Sequence, residues 1–154
     1  MTKKIFVSLP VTDVKASRAF YESLGFKNNP QFTGETTAGM VWSDEINFML
    51  LSRDTWQTMT TRPIPPSTSS EVMLALSLES REAVDAMAAA AAANGGTADI
   101  NPVEDHGVMY SRDLADPDGH AVGAMWIDAS AMPSVDQAEY IVDPRNRRRL
   151  PPSA

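Results

Sequence analysis

The chain has two histidines, and acid–base or metal chemistry built on imidazole would have to use them. His106 stands in "EDHGVMY" directly after Glu104 and Asp105, a grouping that could bind a metal ion or transfer a proton. Tyr110 follows four residues later and is a second weak catalytic candidate. The competing interpretation is a solvated hairpin loop. His120 follows the turn "DPDG" and is interpreted as structural or exposed, so a site combining both histidines would need them adjacent across a sheet.

Composition excludes several classes of function. The chain lacks cysteine, which rules out disulfides, thiolate catalysis and cysteine-bound zinc. Its net charge of −7 argues against nucleic acid or an anionic membrane as the main partner. No stretch approaches the roughly 20 apolar residues that span a bilayer. We therefore expect a cytoplasmic protein with neither nucleic acid nor a membrane as a partner.

The elements that must position these residues occur twice in the same order. A strand over 4–11 leads into a helix with Asp13 as its N-cap and Gly25 as its stop, followed by three strands up to residue 52. A strand over 71–79 then precedes a helix capped by Ser80, and three further strands end near residue 128. The order βαβββ, repeated, predicts two similar modules.

These modules suggest one domain over 1–128, with module one at 3–52, a linker at 53–70 and module two at 71–128. The linker is rich in proline and polar residues, which is typical of a connection or a mobile flap, and its Trp56 could cover a pocket. Residues 129–154 form a C-terminal arm with four arginines. We interpret it as a segment that docks on its own domain or on a dimer partner; nucleic-acid binding is the alternative.

Three features together resemble a known superfamily: the strand and helix "LPVTDVKASRAFYESLGF", the repeated module order, and "DPDGH" before the last strand. They are similar to the vicinal oxygen chelate superfamily, which includes glyoxalase I, extradiol dioxygenases, and bleomycin- and fosfomycin-resistance proteins. The likeness covers about residues 3–128 and is strongest to a glyoxalase-like branch without an established substrate. It implies an α+β fold in which two βαβββ modules form a cup-shaped mixed sheet, usually completed in a homodimer and often holding a divalent metal.

The resemblance also implies where metal ligands would stand. In the superfamily, His, Gln or Glu on the inward faces of the first and last strands of each module bind the metal. Carried over to this chain, those places fall on Phe6, Leu50, Met73 and Gly123. Phe, Leu and Gly offer no donor atom, and a thioether is a poor ligand for zinc, nickel or manganese. We expect no metal site there and no cofactor, with a divalent metal at a relocated site as the alternative.

The period of two along each strand suggests which other residues line the cup. The predicted ligand-binding residues are Phe6, Ser8, Phe48, Leu50, Met73, Ala75, Arg112, Gly123 and Met125. Arg112 depends on whether its face, shared with Tyr110, points inward; if it does, the guanidinium could bind a carboxylate or phosphate.

The apolar, methionine-rich lining is typical of a pocket for a small apolar or aromatic molecule. The sequence therefore favours a metal-independent binding protein that forms a homodimer. One alternative is a lyase or a dioxygenase-type oxidoreductase that uses a relocated metal, or His106 and Tyr110 as acid and base. Another is a structural dimer whose cup is filled by side chains.

Overall fold

The computed structural model describes residues 1–131. Within them the elements are β1 (Ile5–Val11), α1 (Val14–Ser23), β2 (Lys27–Asn29), β3 (Thr37–Val41), β4 (Ile46–Ser52), α2 (Arg53–Met59), β5 (Met73–Ser77), α3 (Arg81–Ala93), β6 (Thr97–Ala98), β7 (Glu104–Asp105), β8 (Met109–Ala115) and β9 (Ala121–Ile127). Short 3-10 turns follow β2 and β9. The predicted C-terminal arm, apart from residues 129–131, lies outside the described residues.

Both long helices begin at the predicted caps. The Asp13 carboxylate accepts a hydrogen bond from the backbone amide of Ala16 at 3.0 Å, and the Ser80 hydroxyl accepts one from the amide of Ala83 at 3.1 Å. Each bond satisfies one of the first-turn amides that a helix leaves unpaired. Gly25 follows α1 with a φ of 105°, a conformation that glycine adopts without steric cost. These local signals confirm the predicted helix starts.

The strands form two mixed sheets. The first has the order β1-β4-β3-β2, with β1 parallel to β4, and the second has the order β5-β9-β8-β6, with β5 parallel to β9 and β7 paired to β8. The α+β fold of two βαβββ modules is thus confirmed, the second module carrying the extra two-residue strand β7. Among residues 1–131, no helix has the length and apolar character needed to cross a membrane.

One core joins the two modules. Helix α1 packs on the first sheet and α3 on the second, and the two helices contact each other. Phe20 and Tyr21 of α1 are fully buried, and the Tyr21 ring meets the Phe48 ring edge-on at 5.6 Å. Gly96 lies where an added Cβ would collide with the Phe20 ring and with a backbone carbonyl of β8. A glycine here lets the second module approach α1 closely.

The predicted linker begins with a helix. Residues 53–59 form α2, with the Ser52 hydroxyl accepting a hydrogen bond from the amide of Thr55 at 3.1 Å. Helix α2 contacts β1 and β4. The sequence analysis did not predict this helix in the linker; a serine cap directly after β4 starts it, and it packs back on the first sheet.

The turn at residues 116–120, which we call the DPDG junction, connects module two to module one through side-chain hydrogen bonds. The Asp118 carboxylate accepts hydrogen bonds from the amide and hydroxyl of Thr12, at 2.9 and 2.6 Å, and from the Ser17 hydroxyl at 3.4 Å. The His120 Nε2 lies 2.7 Å from the carbonyl oxygen of Pro10. Side chains of the turn thus contact the end of β1 and the first turn of α1.

At the centre of the junction lies a buried pair. The Tyr21 hydroxyl donates to Asp116 Oδ2 at 2.8 Å, while the amides of Asp118 and His120 donate to Asp116 Oδ1, each at 2.9 Å. Burial, and then the neighbouring Asp116, hold the pKa of Tyr21 well above its usual value. Burial also raises the pKa of Asp116. Both carboxylate oxygens have donors, so the buried acid is fully hydrogen-bonded.

Candidate functional site

Each sheet has one face packed on a helix and one face turned away from it. Val7, Leu9 and Val11 of β1 belong to the core or pack against it, so Phe6 and Ser8 must lie on the opposite face. The same alternation in module two places Leu74, Leu76, Val122 and Ala124 in the core. We call the two opposite surfaces the open faces. They carry Phe6, Ser8, Asn47 and Met49 in module one, and Met73, Ala75, Ser111, Asp113, Gly123 and Met125 in module two.

The placement of Phe48 and Leu50 on the cup lining was wrong. Both are buried in the core, 1% and 0% exposed, on the helix-packed face of β4. The pairing of Ser8 with Met49 puts Met49 on the open face instead. Strand β4 is apolar at almost every position, and its alternation therefore did not reveal which residues face the helix.

The inclusion of Arg112 among the ligand-binding residues was also wrong, because its face does not point inward. Arg112 pairs with the buried Ala124, on the face that carries Tyr110 and Leu114. Its guanidinium donates to Asp99 at 2.9 and 2.7 Å and to Asp85 of α3 at 3.0 Å. The hydrogen bond from Arg112 lowers the pKa of Asp99, and hydrogen bonds from Tyr110 and then from Arg112 lower the pKa of Asp85. Arg112 is thus occupied by ion pairs at the margin of α3 and does not line an open face.

The remaining predicted ligand-binding residues do share the open faces. Phe6 and Ser8 lie on the first, and Met73, Ala75, Gly123 and Met125 on the second. Phe6 and Met73 are strongly exposed, with 58% and 50% of their surface accessible. Sequence reasoning missed Asp113, which lies opposite Gly123 on the second open face. The signal in the sequence was a glycine in mid-strand, which often marks the close approach of another group.

The residues on the open faces are poor metal ligands at the positions where the family resemblance implies a metal site. Strand pairing matches Ser8 with Met49 and Ala75 with Gly123, so Met49 is the module-one counterpart of Gly123. The four positions therefore hold Phe6, Met49, Met73 and Gly123, which provide two thioethers and no carboxylate or imidazole. Divalent zinc, nickel and manganese require harder donors than these. Across residues 1–131, no cluster of three or more His, Asp or Glu side chains has metal-binding geometry.

The histidines do not form a joint site. His106 is exposed in the turn between β7 and β8, where its Nε2 lies 3.6 Å from Glu104 Oε2, whereas His120 contacts Pro10 at the DPDG junction. The Tyr110 hydroxyl donates to Asp85 at 2.7 Å, and this bond raises the pKa of Tyr110. A tyrosine used as a base needs the opposite shift. The geometry does not favour His106 and Tyr110 as an acid–base pair.

A cavity of about 250 Å³ lies between β1 and β5, beneath the connection that follows α2. Ser8 of the first open face and Ala121 of β9 line it, together with Trp56, Val72 and Leu74. A second cavity of about 570 Å³ adjoins it and includes Arg53 and the DPDG junction. Trp56 thus borders a pocket, as its position in the sequence suggested.

Residues 5–123 match the family model described as the Glyoxalase/Bleomycin resistance protein/Dioxygenase superfamily. The chain belongs to this superfamily. The match covers both modules and ends at Gly123. No curated protein matches the chain significantly.

Several solved structures share the fold. A hypothetical protein, SA1046 from S. aureus, has a TM-score of 0.69 and 23% identity, with 82% of this chain and 94% of that chain covered. A superfamily enzyme from Burkholderia phytofirmans PsJN has a TM-score of 0.69 and 19% identity, covering 82% and 99% of the two chains. The antibiotic binding protein TnmS3 from Streptomyces sp. CB03234 has a TM-score of 0.57 and 22% identity, covering 82% and 97%. At these identities, the likeness establishes the fold.

Proposed function

We propose that this superfamily member is a metal-independent, cytoplasmic binding protein for a small apolar or aromatic molecule. The observation that carries the proposal is the composition of the open faces. The positions at which the family resemblance implies a metal hold Phe6, Met73 and Gly123, with Met49 taking the place of the buried Leu50 after strand pairing is considered. Aromatic, thioether and small side chains on a sheet face provide contact area and adaptable shape rather than coordination. The name of the neighbour TnmS3, an antibiotic binding protein, supports the same type of function.

Glyoxalase-type turnover is the activity that the open faces fit least well. Stabilising an enediolate would require a Lewis acid or strong hydrogen-bond donors, and proton abstraction would require a carboxylate from the last strand of a module. Met49 and Gly123 occupy those strand positions. Metal-dependent turnover of a hemithioacetal by the purified protein would contradict the proposed function.

The ligand-binding test combines metal analysis with thermal unfolding. Protein purified without chelator or affinity metal should contain no stoichiometric metal, and reloading with nickel, zinc, manganese or iron(II) should leave its melting temperature unchanged. A bound apolar compound at a hundredfold excess over its dissociation constant should stabilise the folded state by about 2.7 kcal/mol. One tightly bound metal ion per chain, or the absence of any stabilising compound in an aromatic library, would contradict the proposal.

We also propose that a second copy of the chain covers the open faces. Phe6 and Met73 are each at least half exposed on the open faces, and they stand at the starts of β1 and β5, the edge strands of the two sheets. Exposed apolar residues grouped in this way are typical of an interface. A homodimer would bury them and enclose the binding surface.

Sedimentation velocity checks this arrangement. The protein should sediment as a dimer, and Phe6→Asp should shift it to the monomer, because a carboxylate would be buried without a partner. Val108→Asp is the matched control, since Val108 is also 50% exposed but lies in the turn between β7 and β8. A monomeric protein, or equal effects of the two substitutions, would argue against an interface through the open faces.

A further inference from the structure

A carboxylate lies over the glycine in the middle of the second open face. Asp113 of β8 and Gly123 of β9 are direct partners across the sheet. A Cβ built on Gly123 would lie 3.1 Å from Asp113 Oδ1 and 3.5 Å from the Ala75 Cβ. The first distance is shorter than ordinary van der Waals contact, so the glycine leaves the space that the carboxylate uses.

One oxygen of the Asp113 carboxylate accepts a hydrogen bond from residues 1–131, and the other accepts none. The Asn101 side chain donates to Oδ2 at 2.9 Å, and the amide of Ile100 donates to the Asp113 carbonyl at 3.0 Å. Oδ1 accepts no hydrogen bond from residues 1–131, and Asp113 forms no ion pair within them. One oxygen is thus oriented by Asn101 while the other remains available at the surface.

The surroundings of Asp113 would suit an apolar ligand that carries a cationic group. The open-face neighbours of Asp113 on β5 and β9 are Ala75, Gly123 and Met125, which are small or apolar. Ser111 is the preceding open-face residue on β8. No lysine or arginine occupies an open-face position of β5, β8 or β9. A carboxylate with no cationic neighbour gains most from a ligand that brings one, because charge-assisted hydrogen bonds are about twice as strong as neutral ones. The net charge of −7 also favours the approach of cations.

We propose that Asp113 recognises the protonated amine of an apolar or aromatic ligand, with Gly123 providing the space for this carboxylate and Asn101 orienting it. The proposal rests on the proposed function and narrows it to one ligand class. The apolar body of the ligand would contact Met125 and Ala75, and the ammonium group would donate to Oδ1.

Three naphthalene probes of the same shape test this recognition: 2-naphthylmethylammonium, 2-naphthalenemethanol and 2-naphthoate. Calorimetric titration of the wild-type chain should show the ammonium probe binding about tenfold more tightly than the alcohol, since both can donate to Oδ1 but only the ammonium forms an ion pair with it. The carboxylate probe should bind more weakly than both. Asp113→Asn should remove the preference for the ammonium and weaken binding of the alcohol less than binding of the ammonium.

Two further variants distinguish the position of the Asp113 carboxylate from the net charge of the chain as the cause of the preference. Asp44→Asn changes the net charge equally in an exposed turn and should retain the preference. Gly123→Ala keeps the carboxylate but displaces it, and should weaken binding of the ammonium selectively. Equal affinities for ammonium and alcohol, or an unchanged preference in Asp113→Asn, would overturn this proposal and leave the proposed function standing. Failure of all three probes to bind would count against both.

Discussion

Phe48→Ala should lower the free energy of unfolding by about 3–5 kcal/mol, the usual loss when a buried aromatic ring is removed from a core. Phe48 is 1% exposed and packs against the rings of Tyr21 and Phe26 at centroid distances of 5.6 and 4.9 Å. Truncation would remove both contacts and leave a cavity between α1 and the first sheet. Urea unfolding followed by far-ultraviolet circular dichroism measures the change, and Phe48→Leu gives a smaller loss in the same direction should the alanine variant be too unstable to purify.

Phe6→Ala is the matched control, because it removes the same ring from the other face of the same sheet. At a dilution where the chain is monomeric, the free energy of unfolding should change by about 0.5 kcal/mol or less, as for most exposed positions. Binding of an apolar ligand and dimer formation should weaken instead. Equal losses of stability in the two variants would mean that the faces of the first sheet have been assigned incorrectly.

Tyr21→Phe should lower the free energy of unfolding at pH 7 by about 1–3 kcal/mol, because Asp116 Oδ2 would be buried without a donor. The hydroxyl of Tyr21 donates to that oxygen at 2.8 Å, and Asp116 is 3% exposed. The substitution changes no apolar contact of the ring. The loss would therefore measure the hydrogen bond at the centre of the DPDG junction.

The same substitution should change the response to alkaline pH. Because the folded state raises the pKa of Tyr21 above its unfolded value of about 10, its contribution to stability is complete below that pH. The contribution is lost as pH rises through the folded pKa. The wild-type chain should therefore lose stability above about pH 10 by a component that Tyr21→Phe lacks. Tyr110→Phe is the comparison: the bond to Asp85 also raises the pKa of Tyr110, but at a solvent-exposed position where the effect on stability is smaller. An equal response of both variants would contradict the special role of Tyr21.

Local signals in the sequence were sufficient for the elements and their order. Asp13 and Ser80 cap their helices through bonds to amides three residues away, and such short-range geometry follows from residue type. The superfamily resemblance gave the fold, which the family match confirms. The helix in the connection was missed because its serine cap, Ser52, is also the last residue of a strand.

Face assignments depended on tertiary contacts that the residue pattern does not contain. Strand β4 places an asparagine on the open face but surrounds it with apolar residues on both faces, so period-two alternation could not distinguish them. Strand β8 is polar on both faces, and the orientation of Arg112 was decided by Asp85 of α3 and by Asp99. To predict that Asp113 pairs with Gly123, one would need the register between β8 and β9, and no local signal specifies that register.

The DPDG junction makes the two repeated modules interdependent. Its side-chain hydrogen bonds connect residues that are 95 to 110 positions apart in the chain, between the end of β1 or helix α1 and the turn before β9. If module two came apart alone, Tyr21 would lose its acceptor and Asp118 would release Thr12. We therefore expect the two modules to unfold together rather than as autonomous halves, since a half-chain would expose the partners that the junction satisfies. We also expect the junction to form late in folding, because it joins positions that are far apart in the chain.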